Sequence, residues 1–384
     1  MSVEGRLMSG AHVLNAVEEA PPQVRLRDLR ILAPHQQTEF HDTLQRLMEH
    51  GIFILGEEVA EFERSLGNFV GRKHSVGVAS ASSGLVLALK ALGIGPGDEV
   101  ITTPMSWLMT TNAILMVGAT PVFADVDEHF NLDPLAVGEL ISKKTRAILP
   151  VHYYGRIANM YPLRDLANMH DLFLVEDAAQ AAGASRDGVQ AGNFGDVGVF
   201  SFSPMKVLAA LGDAGAVVFD DDALLPLLQS LRRCGTVDDE ICVTPESKHT
   251  IDALQAAFLR HQMGHLSEVL ETRRKFAHRY AQQLSGYVTS PDLGDGTDHT
   301  FYDFTILADR RDGLLDFLRG NGIEVKIRHP ILISDQPVCA DAKTGELGRA
   351  TDMTARMLCL PMHNNLTTDD VDKVCQVIAD FYGS

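Results

Sequence analysis

The sequence predicts an α/β protein with a large domain on a mainly parallel central sheet, sandwiched by helices, and a smaller α+β C-terminal domain. Three observations carry this reading. Short β-branched runs alternate with helical segments from about residue 75 to residue 219, the rhythm of a parallel sheet covered on both faces. One unusually long helical pattern, Ile251 through Leu284, then bridges to a remainder of mixed helices and strands. No run of about eighteen apolar residues interrupts the pattern with a membrane span.

In chain order, residues 1–35 read as a lead-in, poorly patterned as far as Pro21-Pro22. Residues 36–71 carry helical apolar spacing with acids on the opposite face, as in Glu58 through Leu66. Strand–helix pairs follow: Ser75–Ala79 with Ser82–Leu92, Glu99–Thr102 with Ser106–Met116, Pro121–Phe123 with Pro134–Ile141, and Ala147–Val151 with Met160–His170. Strands at Leu172–Val175, Val197–Phe202 and Ala214–Phe219 complete a large domain of residues 36–250. Residues 251–384 hold the long helix and then strand Thr300–Leu307, helix Arg311–Asn321, strand Glu324–Ile327, helix Arg349–Met357 and helix Thr368–Tyr382.

Composition narrows the function. The 384 residues are 45% hydrophobic, enough for a sizeable core and against disorder. Acids outnumber bases 51 to 33, a net charge of −18, which argues against nucleic acid or an anionic membrane as partner. Five cysteines without a C-x-x-C pair fit neither a disulfide framework nor a zinc ribbon and point to a reducing compartment. With no apolar h-region near the N-terminus, the expected location is cytoplasmic. Fifteen histidines include no H-E-x-x-H arrangement, so no metal site is expected.

The strand–helix junctions lack both G-x-G-x-x-G and a Walker A sequence, which disfavours hydride transfer and P-loop chemistry. Ala79-Ser80-Ala81-Ser82-Ser83-Gly84, at a strand-to-helix junction, instead offers N–H groups and hydroxyls at the positive end of a helix, suited to a phosphate dianion. Downstream, one strand runs into Glu176-Asp177-Ala178-Ala179-Gln180 and a later one into Phe202-Ser203-Pro204-Met205-Lys206. A carboxylate at a strand's C-terminal end sits where open α/β folds bind ligands. A lysine after a buried strand, paired with such a carboxylate, is what pyridoxal phosphate (PLP) chemistry needs: an amine for a Schiff base and an acid to keep the pyridine nitrogen protonated.

These motifs, with VFADVD, VEDAAQAAGA, VGVFSFSPMK, GDAGAVV, LQAAFLR and LCLPMHNNLT in order over roughly residues 45–380, resemble the DegT/StrS-type sugar aminotransferases of the aspartate-aminotransferase fold, fold type I. The resemblance implies PLP as cofactor and transfer of an amino group from L-glutamate to a keto-sugar, nucleotide-linked, on a homodimer with shared active sites. It implies Lys206 as the lysine that carries the cofactor and shuttles the proton, where sugar-dehydrating relatives have histidine. Asp177 matches the partner of the pyridine nitrogen, Gln180 a ligand of the 3′-oxygen, and Trp107, the single tryptophan, the aromatic that stacks on the ring. Ala81, Ser82 and Ser201 match phosphate ligands.

Two stretches depart from the family's pattern. Glu246-Ser247-Lys248-His249-Thr250 places Lys248 where many members have an asparagine reaching the neighbouring subunit's phosphate. Ile327-Arg328-His329-Pro330-Ile331-Leu332-Ile333-Ser334 replaces the family's two histidines with Arg328 and Ser334, which opens the identity of the sugar. Arg328 and His329 are therefore substrate-contact candidates, as is His152 at the end of its strand, which alternatively supports its loop; His363 reads as structural. A free keto-sugar or keto-cyclitol acceptor and a non-catalytic, PLP-binding regulatory role are the alternative readings.

Overall fold

The computed structural model describes residues 22–238, 240–293 and 297–383. The first part of the expected lead-in, residues 1–21, thus lies outside the described residues. The helical pattern of residues 36–71 is two helices, α1 (Pro34–His50) and α2 (Glu57–Val70). Gly51 and Gly56 break it, at φ 74° and 84°, values only glycine adopts freely. Glu57 and Glu58 complement the N-terminal dipole of α2, while Val59, Phe62, Leu66 and Val70 bury one face.

The large domain alternates β1 (His74–Val78), α3 (Ala81–Ala91), β2 (Glu99–Thr102), α4 (Met109–Met116), β3 (Thr120–Phe123), α5 (Pro134–Leu140), β4 (Thr145–Leu149), α6 (Met160–His170) and β5 (Phe173–Asp177). Strands β6 (Val197–Ser201) and β7 (Gly215–Phe219) and helix α7 (Leu224–Arg232) follow. The central sheet runs β1-β7-β6-β5-β4-β2-β3, with the short strand Lys343–Thr344 added at the β3 edge. All neighbours are parallel except that β7 opposes both β1 and β6. The segment between β6 and β7 contains no helix to serve as a crossover, so β7 returns antiparallel. That returning segment carries Lys206. It is pinned where Phe202 N donates to Ala214 O, Ala210 N to Phe202 O and Lys206 N to Ser203 O. Strands β6 and β7 are buried along their whole length, with one apolar cluster on each face of the sheet.

Helix α8 (Ala253–Gln283) leads to a smaller apolar cluster around β8 (Phe304–Leu307), α9 (Arg311–Gly320), α10 (Gly348–Arg356), β9 (Met357–Leu360) and α11 (Thr368–Gly383). Two strand expectations need correction here. Residues 324–327 are extended but form only single bridges, Val24 with Ile323 and Lys326 with Cys359. Leu26 N is taken by the Glu324 side chain, which does not extend a ladder. The strand expected from Thr300 starts at Phe304, because residues 299–303 turn away: Phe301 has φ 49° and Thr300 N donates to Gly155 O. The departure places Tyr302 and Asp303 against the large domain. Among the described residues no helix is long and apolar enough to cross a membrane, and no cluster of His, Cys, Asp or Glu is suited to a metal ion.

Candidate active site

Three C-terminal strand ends meet at one place. Strand β5 ends at Asp177, β6 at Ser201, and the turn after β1 opens α3, so all three present groups on the carboxyl edge of the sheet where α/β folds hold ligands. Asp177 is buried, accepting a hydrogen bond from Thr110 Oγ1 at 2.8 Å and one from Ala179 N at 3.2 Å. Burial pushes its pKa up despite these donors, so the carboxylate is short of positive charge. A protonated ring nitrogen would supply it.

Helix α3 opens with backbone donors suited to an anion. Ser80 is its N-cap and accepts from Ser83 N at 3.2 Å, while the Ser83 hydroxyl meets His249 Nδ1 at 3.0 Å. The cap thereby leaves the N–H groups of Ala81 and Ser82, the first two of the helix, without an intrahelical partner. Gly215 makes room for this turn: a Cβ there would stand 2.5 Å from Ser80 C and 2.6 Å from Ala81 N. Ser201 is buried beside it on β6, its oxygen meeting only Ser203 N at 3.5 Å. Gln180 accepts from Tyr154 N at 2.8 Å through Oε1, an assignment that turns its amide nitrogen outward as a donor. A backbone dianion cradle, a buried carboxylate and an amide donor on one sheet edge fit the phosphate, the pyridine nitrogen and the ring oxygen of PLP.

Lys206 is half-buried, its Nζ 4.5 Å from the centre of the Tyr302 ring. Desolvation lowers its pKa to about 8; Asp177 opposes the shift and the nearby Arg328 adds to it. Arg328 donates from Nε to Asp303 Oδ2 at 2.7 Å and from Nη2 to Oδ1 at 3.2 Å. It also lies over the Tyr302 ring, 5.4 Å from its centre. His329 adopts φ 49° and stands between Trp107 and Tyr153, ring centres 5.9 Å from each. Burial, with Arg328 alongside, drops its pKa to about 4, so its ring is neutral at physiological pH.

The remaining sequence candidates separate. Trp107 is 60% exposed in the loop ahead of α4, its edge toward His329. Lys248 is exposed on the segment that pairs with the end of β1, where Ala79 N donates to His249 O. His152 is fully buried, with Nε2 at 2.8 Å from Glu176 Oε2 and Nδ1 accepting from Ala158 N at 3.2 Å. Both ring nitrogens are engaged, leaving none for a substrate. His363 packs with Nε2 on Arg25 O at 3.1 Å.

Against known proteins, the model of the DegT/DnrJ/EryC1/StrS aminotransferase family matches residues 34–379. The chain belongs to this family. It is 36% identical to the pleiotropic regulatory protein of Geobacillus stearothermophilus, over 94% of this chain and 98% of that one. It is 37% identical to the UDP-N-acetyl-3-dehydro-alpha-D-glucosamine 3-aminotransferase of Acidithiobacillus ferrooxidans, over 91% of this chain and 96% of that one. The crystal structure of Streptomyces venezuelae DesV in complex with a ketimine intermediate is similar at a TM-score of 0.90 and 35% identity, covering 95% of this chain and 99% of that one. The protein is a PLP-dependent aminotransferase of fold type I.

In this aminotransferase several site residues escaped the sequence reading. Thr110, which orients Asp177, lies one helical turn beyond Ser106, whose hydroxyl it meets at 2.8 Å. Arg27 sits in the extended segment before α1 and bonds Asp303 Oδ1 through Nη2. Asp303 itself left a legible signal: an acid inside the apolar run Phe301 to Leu307, and it is only 1% exposed.

Proposed function

We propose that this aminotransferase moves an amino group from L-glutamate to a nucleotide-linked keto-sugar, as a cytoplasmic homodimer. The observation that carries the chemistry is Lys206 facing Asp177 across the mouth of the sheet, with an amine whose pKa lies near 8 and a carboxylate starved of a cation. The acceptor class is supported by the A. ferrooxidans relative, whose name specifies a UDP-linked keto-sugar. That similarity favours a nucleotide-linked acceptor over a free keto-sugar or keto-cyclitol. The Lys206–Asp177 pairing favours turnover over a purely regulatory role.

When bound, PLP supplies an electron sink for the negative charge that develops at the substrate carbon next to nitrogen. The protein's part is to bind, orient and move a proton. The N–H groups of Ala81 and Ser82 and the hydroxyls of Ser82 and Ser201 would take the phosphate; Asp177 would hold the ring nitrogen protonated, and Gln180 would donate to the ring oxygen. Trp107 would stack on the ring. Lys206 would hold the cofactor through its amine and, once that amine is free, would take and return the proton at the substrate carbon. A base with a pKa near 8 is matched to giving and taking a proton close to neutral pH. Arg328 and His329 stand on the substrate side of Lys206.

Lys248 is assigned to the phosphate of the neighbouring subunit's site. The apolar residues Ile52 and Phe53, about half exposed, and Ile241 and Val243 on the segment leading to Lys248 support a face that a second copy covers. Lys206→Ala should lose both the near-visible absorbance of the loaded enzyme and all turnover of L-glutamate with a nucleotide-linked keto-sugar. Full activity in that variant would overturn the assignment.

A further inference from the structure

We propose that Arg27 and Arg328, which grip the one carboxylate of Asp303, and Arg273 beside them, without a carboxylate of its own, form an anion subsite that receives a negatively charged group of a substrate beside Lys206. The proposal rests on the sugar-aminotransferase reading for the substrates tried, and deepens it.

The argument is a charge imbalance in a buried place. Asp303, 1% exposed, is gripped by Arg328 on both oxygens and by Arg27 on one. Arg27 Nη1 and Arg273 Nη1 then converge on a single carbonyl, Met362 O, at 3.0 and 3.5 Å. Arg273 is 3% exposed, and its other bonds go to neutral oxygens, Phe301 O at 2.9 Å and Asn364 Oδ1 at 3.2 Å. Among the described residues it has no carboxylate within ion-pair distance. Arg27 Nε is buried without a partner. Three guanidiniums therefore gather around one acid, which pairs with two of them, in a protein whose net charge is −18. A buried cation without a counterion is costly to the fold, and an anionic ligand removes that cost.

Two of the three arginines are also reachable. Arg27, Arg273 and Lys206 line one cleft of about 460 Å³. Two carboxylates line it as well: Asp28, which is already paired with Arg30, and Glu268. The Tyr302 ring has Arg27 at 4.5 Å, Lys206 at 4.5 Å and Arg328 at 5.4 Å from its centre, so the subsite and the reacting amine are one aromatic ring apart. Two substrate groups share the required chemistry: the carboxylate of the amino donor and the diphosphate of a nucleotide-linked acceptor.

The test is titration calorimetry of the PLP-loaded protein with glutarate and, separately, with UDP. Rates of cofactor conversion with L-glutamate alone provide a second readout. Arg27→Met and Arg273→Met should each weaken one of the two anions roughly 10- to 100-fold, the loss expected when a charge-assisted hydrogen bond is removed. Weakened glutarate assigns the donor carboxylate and weakened UDP the acceptor diphosphate; either supports the subsite. Arg273→Lys keeps the charge and should recover part of the affinity if Arg273→Met folds poorly. Asp303→Asn increases the positive surplus, so it should tighten the same anion even while the melting temperature falls. A merely structural triad predicts no tightening. Arg279→Gln, on the same helix but exposed and paired with Asp372, should change neither affinity. Unchanged binding of both anions in well-folded Arg27→Met and Arg273→Lys proteins would overturn the proposal. Because binding is read without turnover, that failure is separate from failure of the Lys206→Ala test.

Discussion

On the sheet side of Lys206, a buried carboxylate waits for a cation, and the helix opening at Ala81 presents N–H groups without acceptors. On the opposite side, guanidiniums outnumber the carboxylate they share, and the neutral ring of His329 lies between Tyr153 and Trp107. The first wall is unfinished in the way a fixed cofactor completes; the second is unfinished in the way an exchanging anion completes. Lys206 is the hinge between them, with a pKa that burial and the arginines pull down and Asp177 holds up. The contrast teaches that each wall can be tested through what it lacks.

The largest effect belongs to the hinge. Lys206→Met should abolish transamination yet stabilise the protein freed of cofactor. Burial lowers the pKa of the folded amine to about 8 from the ordinary lysine value of 10.5, so the folded state resists its proton. The penalty of keeping the charge is fully present at pH 7 and disappears as pH rises from about 8 to 10.5. Removing the amine should raise stability at pH 7 by about 3 kcal/mol at most, read by thermal melting of the apoprotein. No gain at pH 7 would mean that Lys206 is better solvated than its place over Tyr302 implies.

Asp177→Asn probes the sheet wall. The amide keeps the size and the Thr110 contact but cannot hold a proton on the ring nitrogen by charge. The expected loss in kcat is roughly 10²- to 10⁴-fold, the usual range for a lost acid–base contribution, with the fold preserved by circular dichroism. An unchanged kcat would remove the distinction between the two walls.

Legibility from sequence followed the same division. Asp177 and Ser201 end their strands, and Gln180 and Lys206 follow in the loops after them, so chain order alone brings their positions to the sheet's carboxyl edge. The other wall is assembled across long separations: Arg27 with Asp303, Lys206 with Tyr302, Tyr153 with His329. No local periodicity reports such meetings. The departure of residues 299–303 from the expected strand depends on Gly155 at φ 94°, where a Cβ would come within 2.0 Å of Thr300 Oγ1. For His152 the sequence leaves substrate contact and loop support both open. A histidine at a strand end looks available in sequence, but Glu176, invisible as its partner there, takes the ring inward.

His329 gives the charge-rich wall its own pH signature. Its folded pKa is about 4, below the ordinary histidine value of 6.5, because burial and Arg328 disfavour the imidazolium. Between these values the unfolded chain binds more protons, so stability should rise with pH across that window and fall on acidification. The span corresponds to about 3 kcal/mol as an upper figure. His329→Gln should flatten part of that acid limb in urea unfolding at pH 4 to 7, whereas Asp177→Asn should not. An acid limb identical in the His329 variant would show that other groups, such as the buried His299, produce it.

The smallest effect tests how the sheet wall holds its shape. Ser80 contributes one cap bond, to Ser83 N at 3.2 Å, so Ser80→Ala should cost about 1 kcal/mol of stability. Its functional consequence follows from what the cap leaves free. With Ser83 N satisfied, the turn keeps the N–H groups of Ala81 and Ser82 pointing out of the helix. Without the cap the first turn frays, and PLP affinity should weaken by a few-fold while affinity for anions on the arginine wall stays constant. Gly215→Ala presses the same turn from behind, because its Cβ would meet immovable backbone at Ser80 and Ala81, and it should weaken PLP more than Ser80→Ala does. If both variants bind PLP as tightly as the parent, the phosphate is held elsewhere. If instead they alter glutarate or UDP binding, the two walls are coupled through the Lys206 segment that β7 anchors.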